Sequence, residues 1–96
     1  MLVKDFLTAT KDMELDLKIY WQKNSQNYLP ITTIKATPKK IILITQATSN
    51  RSSLNLLDLR NKLVQLPQLA TLVIDDAGSL HPFFGYQRKE TKILLH

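Results

Sequence analysis

The chain has 96 residues, enough for one domain or two small units around a shared core, and its 44% apolar content is ordinary for a globular fold. It has no cysteine, which excludes disulfides and thiolate metal sites, and no apolar run near the ~18 residues of a membrane span. The net charge of +5 comes from thirteen Lys/Arg against eight Asp/Glu spread over both halves, so it permits attraction to polyanions without marking a basic tail.

Val3, Phe6, Leu7 and Thr10 recur at i, i+3, i+4 and i+7, which predicts a short helix over 3–11. The same N-terminal stretch carries early acids and no unbroken apolar core, so it is not expected to be a secretory signal, and the cytoplasm is the expected location. From Met13 to Trp21, apolar Met13, Leu15, Leu17, Ile19 and Trp21 alternate with Glu14, Asp16, Lys18 and Tyr20, the period of a half-buried strand. A polar connection over 22–29 follows. Pro30 then opens a β-branched strand over 31–36, where proline is tolerated because a strand's first residue can spare its N–H. After a turn around Thr37–Lys39, the run at 41–44 (IILI) predicts a central strand over 41–46, covered on both faces.

A polar loop over 47–53 precedes a second helix. Asn55 can cap it, with the Asp58 carboxylate near its positive end. Leu56, Leu59, Leu63 and Leu66 form its stripe, broadened by Leu57 and Val64, until Pro67 stops it. A strand over 71–75, a loop over 76–80 and a closing hairpin over 82–87 and 92–95 complete the chain.

Residues 28–44 lie over residues 80–96 without a gap, placing Pro30 on Pro82, Lys40 on Lys92, Ile41 on Ile93 and Leu43 on Leu95. The expected fold is therefore α+β: one domain over 1–96 with two αβββ-like repeats, about 1–46 and 54–96, forming one antiparallel or mixed sheet with two helices packed on one face. Strand 41–46, helix 55–66 and strand 71–75 also spell a β-α-β unit, with a connection long enough for a parallel crossover. The sheet's other face would then need a cover, which a homodimer would supply.

The VKDFL helix, the KIYW strand, P-I-x-x-I and K-I-I-L, with LNLLDLRNKLVQLP, LVIDD, HPFFGY and KILL in the second half, together resemble a type of small protein found in Gram-positive phages and mobile elements. The resemblance implies an α-β-β-β unit. Its motifs are structural, and such proteins largely lack an assigned function, so it carries over no catalytic residue.

Candidate chemistry is sparse. Asp75 and Asp76 with His81, and His96 at the end of the sequence, are the only grouping resembling a metal or acid/base site; Asp76-Ala77-Gly78 is more simply turn chemistry. Ser79, Ser52 and Ser53 lack any nucleophile elbow. The segment 48–53 precedes a helix N-terminus, where phosphate is favoured, but it has no glycine and no G-K-[ST]. No catalytic residue, metal ligand or cofactor is therefore assigned. The basic turns are more distinctive: Lys35, Lys39 and Lys40 in one copy, Arg88, Lys89 and Lys92 in the other, related by the repeat and able to straddle a polyanion. Of the aromatic residues Trp21, Tyr28, Phe83, Phe84 and Tyr86, a possible stacking platform, Trp21 and Phe83 fall on core positions. Phe84 matches Thr32 and is expected to face outward as an interface residue. The favoured function is a non-enzymatic cytoplasmic accessory protein that binds a macromolecule, a protein partner or a second copy of itself, with no membrane. A nucleic-acid binder using the basic turns comes second, and a metal-dependent hydrolase third.

Overall fold

The computed structural model describes residues 1–46 and 53–96. Among these, the elements are α1 (Val3–Ala9), β1 (Lys18–Gln22), β2 (Tyr28–Ala36), β3 (Lys40–Thr45), α2 (Leu56–Leu63), β4 (Thr71–Asp76), β5 (Ser79–Pro82), β6 (Tyr86–Lys89) and β7 (Lys92–Leu95). The strands form one mixed sheet in the order β5-β4-β3-β2-β1-β7-β6. The pairs β3/β4 and β1/β7 are parallel and the others antiparallel, so α2 does lie on a parallel β-α-β connection. The fold is thus α+β.

Connectivity forces this sheet to curl. Its edge strands β5 and β6 are consecutive in the chain, joined only by Phe83, Phe84 and Gly85. The link from Pro82 to Tyr86 can reach at most ~15 Å. The edges of a flat seven-stranded sheet would stand about 29 Å apart. The bend is made in β2, whose Tyr28, Leu29 and Pro30 pair with β1, whereas from Ile31 onward it pairs with β3, with a register shift between Ile31 and Thr33. Where β1 and β2 part, Leu54 fills the gap: Ile19 N–H donates to the Leu54 carbonyl (2.9 Å) and Leu54 N–H to the Ile31 carbonyl (2.7 Å). A strand that changes partner through a bulge makes a corner in this way. Two contacts then join β1 and the residue after it to the far side: the rings of Trp21 and His81 lie 4.9 Å apart, and Lys23 Nζ sits 3.0 Å from Asp76.

Alternation selects the interior. Ile19 and Trp21, Ile41 and Leu43, Leu72 and Ile74, and Ile93 and Leu95 are buried on the inward face, in one cluster with Val3, Phe6, Leu56, Leu59, Leu63 and Phe83. In α2 the i, i+3, i+7 leucines point into this cluster, and Asn55 caps the helix by accepting from Asp58 N–H at 2.8 Å. Leu57 and Val64, expected to widen the stripe, are instead exposed (42% and 58%). Arg60 ties the helices together, with Nη1 donating to the Leu7 carbonyl (2.7 Å) and to Thr10 Oγ1 (2.6 Å). Thr10 is fully buried and its hydroxyl donates in turn to the Phe6 carbonyl, so no polar group is stranded there.

Three local expectations need correcting. The alternation from Met13 does not make a strand until Lys18, because the carbonyls of Leu15 and Leu17 accept from Leu57 N–H (3.0 Å) and Leu56 N–H (2.8 Å) at the start of α2. The segment expected as a loop over 76–80 is a tight hairpin: Ala77 and Gly78 both take positive φ (52° and 92°), and Asp75 Oδ1 accepts from Gly78 N–H. The two αβββ copies are not reproduced either. Residues 28–36 form one strand, whereas 80–88 divide between β5 and β6 on opposite edges of the sheet. Only the trailing strands correspond, with Ile41 and Leu43 buried like Ile93 and Leu95.

Candidate polyanion-binding face

The burial of Ile19 and Trp21 obliges Lys18, Tyr20 and Gln22 to face outward from β1. In β7 the same rule turns Lys92 and Leu94 outward, and in β6 it turns out Gln87 and Lys89. Pairing aligns these into rows across the sheet. Lys18, Lys92 and Lys89 stand opposite one another, as do Tyr20, Leu94 and Gln87; on the other side of β1, Tyr20 opposes Pro30 and Gln22 opposes Tyr28. Lys92 Nζ lies 5.4 Å from the Tyr20 ring centroid. Lys89 Nζ lies 5.5 Å from the Tyr28 ring centroid and donates to its hydroxyl at 3.3 Å. Each such cation–ring contact contributes about 0.5–1 kcal/mol at a surface, enough to bias a long side chain toward one position. Leu94 is only 1% exposed despite facing outward, so the surface above it belongs to its longer neighbours. No outward position of these strands, nor of β2 at Tyr28 and Pro30, carries a carboxylate.

The six bases of the two turns separate in the structure. Lys89 and Lys92 belong to the face just described. Arg88, opposite the buried Ile93, points to the other side and pairs with Glu14 (2.9 Å), an exposed ion pair that contributes little to stability. Lys35, Lys39 and Lys40 are exposed around the β2–β3 turn, which Thr37 closes through hydrogen bonds with Lys40, its Oγ1 donating to the carbonyl at 2.9 Å and accepting from the N–H at 3.1 Å. They lie past the bend in β2, where it pairs with β3 rather than β1. Tyr20 was missing from the expected platform. Its alternation with Ile19 and Trp21 already turned it outward, but its lysine comes from β7, a parallel neighbour with no local signature.

Trp21 (7% exposed) and Phe83 (0%) are core residues, while Tyr86 is half-buried and its hydroxyl donates to the Ala9 carbonyl. Phe84 is 82% exposed, on the link between β5 and β6, where its N–H donates to the His96 carbonyl at 2.9 Å. Thr32, its expected counterpart, is 6% exposed inside the β2 bulge, so the two positions are not equivalent.

The acidic grouping is engaged structurally. Asp75 holds the hairpin turn, Asp76 pairs with Lys23, and His81 lies against Trp21. Among the described residues, no three His, Asp or Glu side chains converge as metal ligands would. The first donors of α2 are taken by the carbonyls of Leu17, Leu15 and Asn55 and by the Asn55 side chain, which removes the reason a phosphate would bind there. Residues 47–52, including Ser52 and most of the loop before α2, lie outside the described residues. An open groove of about 300 Å³ is lined by Ile34, Ala36, Lys62, Gln65 and Leu66. Comparison with protein-family models, with curated proteins and with solved structures finds no match.

Proposed function

We propose that this chain is a non-enzymatic, cytoplasmic binding protein that takes nucleic acid on the outward face of β1, β7, β6 and the first residues of β2. The observation that carries this reading is the row Lys18, Lys92 and Lys89, backed by two lysine–tyrosine contacts and free of carboxylates. Binding of this kind releases counterions from the polyanion and therefore weakens steeply with salt. With three phosphate contacts, raising salt from 50 to 200 mM should lower affinity roughly 20- to 40-fold. A titration of the chain with labelled oligonucleotides over that range tests it. Affinity that ignores salt, or no binding at 50 mM, contradicts it. The contacts belong to a strand face rather than to paired hairpin tips, since the β2–β3 turn lies past the bend. The repeat itself finds support in the K-I-x-L strands at Lys40–Leu43 and Lys92–Leu95 and in no longer stretch.

A second reading, a homodimer or a protein partner, draws on Phe84, whose large apolar ring is 82% exposed, and on Leu80 nearby in sequence at 48%. Exposed aromatic side chains are favoured at the centres of protein interfaces. Light scattering at rising concentration checks it: a doubled mass that Phe84→Asp abolishes supports this reading, and a constant monomer mass removes the homodimer.

A further inference from the structure

The lysine row explains affinity for a polyanion but leaves the two tyrosines without a role. Tyr20 opposes Pro30 while Tyr28 opposes Gln22, which makes the two tyrosines diagonal neighbours on the outward face. Such neighbours stand about 7–8 Å apart, and both residues are partly exposed. Two flat π faces at that spacing suit successive bases that have left each other's stack. The bases of a duplex stack on one another and present only their edges, so a duplex has no face to offer these rings. A single strand does, and its phosphates must lie beside its bases, within reach of the flexible Lys92 and Lys89 side chains whose ammonium groups rest over the two rings in the free chain.

We infer that the face is selective for single-stranded nucleic acid, with two successive bases stacked on Tyr20 and Tyr28 and the adjoining phosphates held by Lys92 and Lys89. The inference rests on the polyanion reading and deepens it by fixing the form of the strand. On binding, each ammonium moves from its ring to a phosphate and a base replaces it over the ring. Stacking does not need the tyrosine hydroxyls.

The test compares a labelled single strand of about ten nucleotides, the same sequence as a blunt duplex, and inorganic polyphosphate as a competitor without bases, all at one low salt concentration. The single strand should bind at least tenfold more tightly than the duplex. Tyr20→Ala and Tyr28→Ala should each weaken single-strand binding by about tenfold while leaving competition by polyphosphate unchanged. Tyr20→Phe and Tyr28→Phe, which keep the rings and the packing around them, should bind like the unaltered chain. Equal affinity for single strand and duplex overturns the inference but leaves the polyanion reading intact. So does a loss of polyphosphate binding parallel to the loss of single-strand binding, or a failure of the phenylalanine variants to bind. Absence of binding to all three probes overturns both.

Discussion

The hairpins β2–β3 and β6–β7 carry similar sequences into different surroundings. Each has a basic turn, and each returns through a K-I-x-L strand whose isoleucine and leucine are fully buried. β3 lies inside the sheet between β2 and β4, and its outward row is Lys40, Ile42 and Ile44. β7 lies between β1 and the edge strand β6, with Lys92 and Leu94 outward. Among the described residues, the cation–ring contacts are those of Lys89 and Lys92, both from the second hairpin. The turn lysines of the two hairpins are thus alike in sequence and unlike in company. What separates them is the parallel pairing of β1 with β7, which brings Tyr20 beside a strand more than seventy residues away.

The correspondence can be broken first in the core. Ile41→Ala and Ile93→Ala each remove a fully buried side chain and should each cost about 2–5 kcal/mol in chemical denaturation. A cost below about 1 kcal/mol at either position would show that the two strands are not equally part of the interior. The turns should then respond in opposite directions. Glu90 holds a φ of 56°, an unfavourable conformation for a residue with a Cβ, so Glu90→Gly should stabilise the second hairpin by up to about 1 kcal/mol. Thr37→Ala removes both side-chain hydrogen bonds across the first turn, leaving Thr37 N–H donating to the Lys40 carbonyl (2.8 Å), and should cost about 0.5–1.5 kcal/mol, read as a fall in melting temperature. The smallest effect is expected at the edge. Glu14→Ala breaks the exposed pair with Arg88 and should change stability by less than about 1 kcal/mol, with the difference fading in high salt.

What could be seen in the sequence divides along the same lines. β3, α2 and β4 follow from a dense apolar run, a capping asparagine with spaced leucines, and a proline stop, so their order and the parallel connection were visible. The division of β2 was not. Ile31–Ala36 has the composition of a single strand, and nothing in it marks that Leu54 will enter beside Ile31 and send β2 to a new partner. Met13–Leu17 misled for a related reason: period-two alternation says which side chains face in, but the carbonyls of Leu15 and Leu17 are held by the start of α2 instead of a neighbouring strand. β5 is short, polar and half of a hairpin whose first positive-φ residue is an alanine, a poor turn signal. The candidate lysines were identifiable as basic turns. Which of them share a face with aromatic rings depended on strand pairing that no local pattern encodes.

The central claim is that the lysines of the second hairpin, and not those of the first, contact a polyanion. The most direct measurement is the dependence of oligonucleotide affinity on salt for Lys89→Ala/Lys92→Ala and for Lys39→Ala/Lys40→Ala. Loss of two phosphate contacts should flatten the log–log slope by about two in the first variant and leave it unchanged in the second. Equal flattening in both, or flattening only in the second, would contradict the account.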